Sequence, residues 1–247
     1  MSEGTEGSQD LEKIADKYKP KRPAHVVATK VLQYDMKRLI HLVEGPLVLE
    51  LGYGAGVWTG ELIRRFGHSY IVDGSEKLLA HARKLYGDKD LTTFHILFEE
   101  FTPPDGLLFN TILATHVLEH LDDPRRVLSI ARNWLAKDGK MLVIVPNAYS
   151  LNRRLAVLMG TQKTVYDMSR RDIEIGHKRV YDLPALRRDV TEIGYRIVME
   201  RGLFLKTLPN SLMTEFPDEL LEALVEISDT LPAEYMAYLA LLIEPDV

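Results

Sequence analysis

The chain of 247 residues contains no cysteine, which excludes disulfide bonds, thiol catalysis and metal sites with cysteine ligands. It has no apolar run approaching the roughly 20 residues that a membrane-spanning helix needs. The polar, acidic start "MSEGTEGSQD" lacks the basic and apolar segments of a signal peptide. We therefore expect a cytoplasmic protein without membrane insertion.

Positive charge is not in excess, since 31 Lys and Arg stand against 36 Asp and Glu, a formal net charge of −5. An acidic chain is a poor non-specific ligand for nucleic acid, and the basic stretch "KYKPKR" at 17–22 is too short to change this. We predict no nucleic-acid partner. The apolar fraction of 46% is that of a folded globular protein, and the length fits one α/β domain.

Short apolar segments alternate with helical segments along most of the chain. Strands are predicted at 46–51, 69–73, 92–97, 109–115, 140–146, 195–202 and 235–245. Helices are predicted at 57–66, 75–86 with Ser75 as N-cap, 124–136, 183–193 and 217–229. Strands that are apolar throughout and separated by helices predict a mostly parallel sheet covered on both faces.

The remaining segments set the domain organisation. Residues 1–10 are predicted to be a disordered tail, followed by a single domain over 11–247. Residues 11–44 read as N-terminal helices on both sides of a break at Pro20 to Pro23. Residues 147–182 contain no clear strand and are predicted to form an inserted cap.

The stretch "ELGYGAG" places three glycines directly after the first predicted strand. A glycine-rich turn between a strand and a helix is a nucleotide-binding position in α/β sheets. The dinucleotide pattern requires a glycine at position 57, which is Val57, and none of the eleven tyrosines is followed four residues later by lysine. An NAD-dependent oxidoreductase is therefore a weaker alternative, and no Gly-Lys-Ser/Thr phosphate loop occurs.

Four motifs together resemble class I S-adenosylmethionine-dependent methyltransferases, in their small-molecule (type 11/12-like) branch. These are the glycine turn, Asp73 after the second strand, "FNTILATHVLEHLDDP" (109–124) and "LAKDGKMLVIVPN" (135–147). The resemblance implies a Rossmann-like, doubly wound sheet of seven strands, mostly parallel with an antiparallel last strand, and a helical cap after strand five. It also implies S-adenosyl-L-methionine as cofactor and S-adenosyl-L-homocysteine as product.

The resemblance further implies a set of cofactor-binding residues. The glycine turn would lie under the methionine part of the cofactor, Asp73 would bind the ribose hydroxyls, and Glu50 would face the cationic end. Tyr53 would either lean over the cofactor or point away from it. The predicted residues are Glu50, Gly52, Tyr53, Gly54, Gly56, Asp73, Gly74, Phe98, Glu99, Glu100, Thr115 and His116.

The segment "THVLEH" spaces His116, Glu119 and His120 so that a helix would place them on one face. His116 is the predicted general base because it lies nearest the mouth of the crevice, whereas Glu119 and His120 are interpreted as a structural pair. The His-x-x-Glu-His spacing also occurs in inverted zinc proteases, which the glycine turn argues against. A divalent metal is left as an alternative at these three residues, and the expectation is that none binds.

The predicted cap is basic, with seven Lys and Arg against three Asp and Glu between residues 149 and 180. Such a local excess in an acidic protein suggests an anionic partner. Predicted acceptor-binding residues are Tyr149, Arg153, Arg154, His177, Arg179 and Tyr181, with His177 also a catalytic candidate.

The function expected from these features is methyl transfer to oxygen or nitrogen of a small, anionic acceptor, such as a nucleotide-linked sugar or a carboxylated metabolite. The alternative from another class is a scaffold that binds the cofactor without catalysis. The sequence leaves monomer and homodimer both open.

Overall fold

The computed structural model describes residues 11–16 and 23–246. The predicted tail at 1–10, the basic stretch at 17–22 and the predicted break up to residue 22 lie outside these residues. Residues 11–15 are helical, and Pro23 begins the long helix α1 (Pro23–Leu39). Proline is favourable at the start of a helix because its ring fixes φ near the helical value. The N–H that proline lacks would have no partner within the helix at this position.

Seven strands form a single sheet in the order β3-β2-β1-β4-β5-β7-β6. Their bounds are β1 Val48–Leu51, β2 Ser69–Asp73, β3 Leu91–His95, β4 Phe109–Thr115, β5 Leu135–Pro146, β6 Tyr195–Leu203 and β7 Tyr238–Pro245. β7 is antiparallel to both β5 and β6, and the other pairings are parallel. The predicted fold class is confirmed, and β6 therefore runs in the same direction as β5.

The other helices connect the strands and flank the sheet. They are α2 Thr59–Phe66, α3 Glu76–Tyr86, α4 Pro124–Ala131, α5 Leu151–Leu158, α6 Arg170–Glu174, α7 Leu183–Thr191 and α8 Asp218–Glu226. Ser75 caps α3 as predicted, accepting from the Leu78 N–H at 3.3 Å. No helix in the described part of the chain is both long and apolar enough to cross a membrane.

The structure corrects the prediction around residues 124–146. The helix predicted to reach residue 136 ends at Ala131, and a 3-10 turn follows at Arg132–Trp134. β5 begins earlier than predicted, at Leu135, because Leu135 pairs with Phe109 before Asp138 adopts a left-handed φ of 64°. The pairing then shifts register, so the "KDGK" turn lies within the strand rather than before it.

Apolar side chains cover both faces of the sheet. Leu49 and Leu51 pack into one core cluster, whereas Val48 packs with Leu113 into another. This alternation follows from the two-residue period of a strand. Because the parallel strands share one direction, the carboxyl ends of β1, β2, β4, β5 and β6 meet at one edge of the sheet, which is the edge where α/β proteins bind ligands.

Candidate active site

A cavity of about 1630 Å³ opens at the carboxyl edge of the sheet. Its wall includes the turns after β1 to β5, the segment after β6, and parts of α1 and the cap. Pockets for one drug-sized ligand measure roughly 300–1,000 Å³, so this cavity has room for a cofactor together with a second molecule. Eleven of the twelve predicted cofactor-binding residues line it, and Gly56 does not.

The three glycines of the first turn serve different purposes. Gly52, Gly54 and Gly56 all adopt a left-handed φ, of 75°, 51° and 66°. A Cβ at Gly54 would meet no atom within 4 Å, so this position borders open space. A Cβ at Gly56 would collide with the ring and Oη of Tyr53. The missing side chain at Gly56 therefore makes room for the Tyr53 ring, and a role of Gly56 in cofactor binding stays a prediction.

Tyr53 is nearly inaccessible because its ring turns away from the open part of the turn. The ring packs with Ile71, Leu79 and Ala82, and its Oη lies 3.3 Å from Nδ1 of His81. Of the two orientations considered for Tyr53, the structure shows the one that points away. Its backbone N–H remains at the cavity wall and donates to Asp73 at 2.8 Å.

Two buried carboxylates lie at the ends of β1 and β2. Asp73 accepts the N–H groups of Tyr53 and Ser75, each at 2.8 Å. Burial raises the pKa of Asp73, and these two hydrogen bonds act in the opposite direction. Glu50 accepts from the Thr59 hydroxyl at 2.6 Å, and burial raises its pKa to about 8. A nearby positive charge or hydrogen-bond donor would therefore stabilise the ionised form of both carboxyls.

The turn after β3 supplies a further part of the wall. Residues Phe98–Glu100 form a 3-10 turn beside Gly52, with Phe98 Cζ 3.9 Å from the position of a Cβ there. Gly74 lies under the side chains of Leu11 and Leu97, which a Cβ would contact closely. The cavity wall thus combines an aromatic and aliphatic surface with the carboxylates of β1 and β2.

The turn after β4 is not the helical face that the spacing of "THVLEH" predicts. His116 has a left-handed φ of 57°, and only Leu118–His120 form a 3-10 turn. The reason is a hydrogen bond from the His116 N–H to the Ile144 carbonyl at 2.8 Å, which keeps this residue on the sheet. His116 Nδ1 still lies 3.4 Å from Glu119 Oε1, and its ring meets Tyr238 edge to face at 4.7 Å.

Glu119 is fully buried among histidines from two parts of the chain. Its Oε1 lies 3.4 Å from His116 and 3.9 Å from Nε2 of His177, which the cap supplies. Burial opposes ionisation of Glu119, but His116, His120 and His177 together lower its pKa. His177 Nδ1 in turn lies 3.3 Å from Asp172. Both His177 nitrogens thus face carboxylates.

Some basic residues of the cap form their hydrogen bonds and ion pairs within the cap itself. Arg153 lines the cavity but pairs with Asp172 at 2.7 Å and donates to the Asp167 carbonyl at 2.8 Å. Arg154 donates to the Tyr149 carbonyl at 2.8 Å and stacks on the Tyr235 ring. Arg153 and Arg154, both predicted to bind the acceptor, therefore donate hydrogen bonds to groups within the cap.

Four predicted acceptor-binding residues do not line the cavity: Tyr149, Arg154, Arg179 and Tyr181. Arg179 donates to the carbonyls of Leu121 and Asp122, each at 2.8 Å. Tyr181 is a core residue whose hydroxyl donates to Asp189 at 3.2 Å. The structure thus gives Arg179 and Tyr181 structural roles, and of the predicted set only Arg153 and His177 reach the cavity.

The sequence interpretation missed several polar residues that do reach the cavity. Lys206 follows β6, Tyr238 begins β7, and Asn152 and Gln162 belong to the cap. Lys206 could have been inferred from the topology, because an antiparallel β7 makes β6 parallel to β5. The carboxyl end of β6 then lies at the site edge of the sheet.

Residues 27–200 match the family described as methyltransferase domain. The chain belongs to this methyltransferase family. Membership confirms the recognition made from the four motifs, and S-adenosylmethionine is the methyl donor of such enzymes.

One curated relative is a ubiquinone biosynthesis O-methyltransferase from Xylella fastidiosa, 28% identical over 151 residues. The match covers 58% of this methyltransferase and 56% of the relative, so the chain spans little more than half of the curated protein it matches.

Solved structures share the fold at low identity. N-methyltransferase NodS from Bradyrhizobium japonicum, in complex with S-adenosylhomocysteine, has a TM-score of 0.56 at 15% identity, covering 97% of this chain and 98% of that one. The 1,6-didemethyltoxoflavin-N1-methyltransferase from Burkholderia thailandensis, with 1,6-didemethyltoxoflavin and S-adenosylhomocysteine bound, has a TM-score of 0.58 at 14% identity, covering 99% of this chain and 87% of that one.

The histidine cluster of this methyltransferase also offers a ligand set for a metal ion. Ligand atoms of Glu119, His120 and His177 lie within 4.8 Å of one another, so His177 takes the place that the sequence interpretation gave to His116. Neither Glu119 oxygen nor His120 Nε2 has a hydrogen-bond partner among the described residues. Two imidazoles and a carboxylate are a set that Zn²⁺ accepts. The expectation that no metal binds remains a prediction.

Replacing Gly56 with alanine tests the packing role of this glycine. We expect G56A to lower the free energy of unfolding by about 3 kcal/mol, because left-handed strain adds to a collision with Tyr53. The matched control is G67A, which has a φ of 79° but open space around its Cβ and so carries the strain alone. Urea denaturation of both variants measures the difference. Equal losses would show that Tyr53 does not explain the glycine.

Proposed function

We propose that this methyltransferase transfers a methyl group to oxygen or nitrogen of a small, anionic acceptor. The observation that supports this most is the single cavity that joins two kinds of group. Glu50 and Asp73 line one part of its wall, and His116 and Lys206 line another. A cationic cofactor and an anionic acceptor would find complementary charges there. The Xylella relative is named as an O-methyltransferase and NodS as an N-methyltransferase, so both acceptor atoms remain in the proposal.

The cofactor end requires carboxylates rather than a phosphate cradle. S-adenosylmethionine supplies an activated methyl group on a sulfonium and carries an ammonium and a ribose diol. Asp73 suits the diol, since carboxylate oxygens accept hydrogen bonds from hydroxyls. Glu50 faces the same cavity and would gain its negative charge as a cation approaches, because its pKa lies near 8 without one. Residues 98–100 would flank the adenine.

His116 is the proposed general base. Its Nδ1 is directed to Glu119, and its Nε2 has no hydrogen-bond partner among the described residues. The 3.4 Å contact between Nδ1 and the Glu119 carboxylate favours the proton on Nδ1, which leaves Nε2 as the basic nitrogen. His116 can therefore take the acceptor's proton at Nε2. We propose a positioning role rather than a catalytic one for His177, because it lies between Asp172 and Glu119, 3.3 Å and 3.9 Å from their carboxylates.

Further parts of the proposal concern the chain as a whole. We infer a single domain over residues 11–247, a cytoplasmic location, a role in small-molecule metabolism, no nucleic-acid partner, and a monomer or homodimer. A scaffold without catalysis is the second candidate, which the unpartnered Nε2 of His116 disfavours. A dehydrogenase lacks support because of Val57 and the family membership.

The direct test is transfer of label from S-adenosyl-[methyl-³H]methionine into fractions of a metabolite extract, with and without a chelator. We expect label in an anionic fraction at the same rate in both conditions. Loss of transfer on chelation, restored by a divalent metal, would instead make Glu119, His120 and His177 metal ligands. Tight binding of S-adenosylmethionine without label in any fraction would support the scaffold.

Replacing His116 with asparagine tests the general base, since asparagine tolerates the left-handed backbone but cannot take a proton at neutral pH. We expect turnover to fall by about 10² to 10⁴-fold, the usual contribution of a general base. The dissociation constant for S-adenosylmethionine, measured by calorimetry, should stay within about twofold. The control is H41N, at an exposed histidine outside the cavity. Full activity of H116N would remove His116 from the mechanism.

Replacing Glu50 with glutamine separates stability from cofactor binding. A folded-state pKa raised to about 8 means that the stability associated with protonated Glu50 is present below its ordinary pKa and is lost as pH rises through 8. E50Q cannot ionise, so its melting temperature without cofactor should exceed that of the native protein at pH 9. Its affinity for S-adenosylmethionine should fall by about tenfold or more.

The control for this pair of measurements is E226Q, at an exposed glutamate of α8. Differential scanning calorimetry and titration calorimetry at pH 6 and pH 9 give both quantities. An E50Q variant that binds S-adenosylmethionine as well as the native protein would contradict the role of Glu50.

A further inference from the structure

Lys206 stands at the site edge of the sheet for topological reasons. It lies three residues beyond β6, whose carboxyl end lies at the same edge as those of β1 and β4. Phe204, in a left-handed conformation with φ of 58°, accepts the Ala237 N–H at 2.8 Å and so holds this segment against the start of β7. The next residue, Tyr238, contacts the His116 ring. Lys206 therefore lines the same cavity as the proposed base, at the same edge of the sheet.

Lys206 also differs from three other basic residues of the cavity wall, which form ion pairs, in having no partner. Arg153 pairs with Asp172, Arg170 with Glu174, and Lys178 with Asp122. Among the described residues, none lies within hydrogen-bond or ion-pair distance of the Lys206 ammonium. Burial lowers the pKa of Lys206 to about 8, the charge of Arg153 acts in the same direction, and Asp172 opposes both. A partly buried ammonium without a partner is costly unless a ligand supplies the missing negative charge.

We propose that Lys206 is the binding site for a carboxylate group of the acceptor. This inference rests on the proposed function, since it names the chemical class of the acceptor. A carboxylate fits better than a phosphate for two reasons. One ammonium offers a single positive charge, and the Arg153 guanidinium that could hold a dianion in a bidentate fork is already paired with Asp172.

Two cap side chains that line the same cavity indicate what else the acceptor carries. Asn152 Oδ1 and Gln162 Oε1 line the cavity region, are buried, and accept no hydrogen bond from a described residue. Both oxygens can only accept hydrogen bonds, so a ligand that satisfies them must carry hydroxyl or amine donors. A small molecule with one carboxylate and additional hydroxyl or amino groups satisfies Lys206, these two oxygens and the proposed base together.

The test measures access to Lys206 directly and needs no knowledge of the acceptor. The full chain is labelled with a limiting amount of an amine-reactive ester at pH 8, with S-adenosylhomocysteine present, and modification of each lysine is followed by mass spectrometry. Sodium benzoate should slow modification of Lys206 by about fivefold or more at concentrations above its dissociation constant. Benzamide, its uncharged counterpart, should not. Lys178, on the same wall but paired with Asp122, should be unaffected by either.

Variants give a second readout. In K206M, benzoate binding measured by calorimetry should weaken by about tenfold or more, whereas K178M should match the native protein. Benzoate affinity of the native protein should fall as pH rises past about 8, because Lys206 loses its charge. Equal protection by benzoate and benzamide, no protection by benzoate, or unchanged binding in K206M would overturn the proposal.

The outcomes also separate this inference from the proposed function. Binding of S-adenosylhomocysteine without benzoate protection would leave methyl transfer in place and remove the Lys206 subsite. Protection by benzoate without any binding of S-adenosylhomocysteine would support the carboxylate subsite and remove the methyl donor.

Discussion

The proposed acceptor half of the site depends on the junction between the turn after β4 and the cap. The Lys178 N–H donates to the Glu119 carbonyl at 2.7 Å, and the Gly176 carbonyl lies 3.3 Å from His120 Nδ1. Arg179 adds two hydrogen bonds to the carbonyls that follow in the same turn. At the centre, the buried Glu119 carboxylate lies between histidines of both segments. These contacts place His177 and the cap over the sheet edge, so the shape of the acceptor pocket follows from them.

The two ends of the cavity have opposite electrostatic requirements. Glu50 and Asp73 are buried carboxylates with raised pKa values, so a ligand with donors or positive charge relieves their desolvation. Burial lowers the pKa of Lys206, so an anion bound beside its ammonium would offset the desolvation of that charge. A charged group is costly to bury alone, and the chain gains by binding ligands that complete each pair. This complementarity is consistent with a cofactor that carries no phosphate, and it supports the proposal of an acceptor with a carboxylate.

Local patterns predicted the sheet well because its inner strands are buried on both faces and read as apolar runs. They also placed Glu50, Asp73 and His116 at strand ends, where the topology brings them together. Roles that depend on tertiary contacts could not be predicted from local sequence. Gly56 faces a tyrosine three residues away, Arg153 is neutralised by Asp172 from a later helix, and His116 leaves the helical face because its N–H bonds to β5. Lys206 is separated from the motifs by more than fifty residues of sequence and approaches them only through the pairing of β6 with β7.

The most direct test of the account is a crystal structure of the full chain with S-adenosylhomocysteine. We expect the ribose hydroxyls to bind Asp73, the amino group to lie on the Glu50 side of the glycine turn, and the adenine to lie beside residues 98–100. We also expect the sulfur to face the part of the cavity bordered by His116 and Lys206. A ligand bound elsewhere, or in this cavity with its sulfur turned away from His116, would contradict the proposed site.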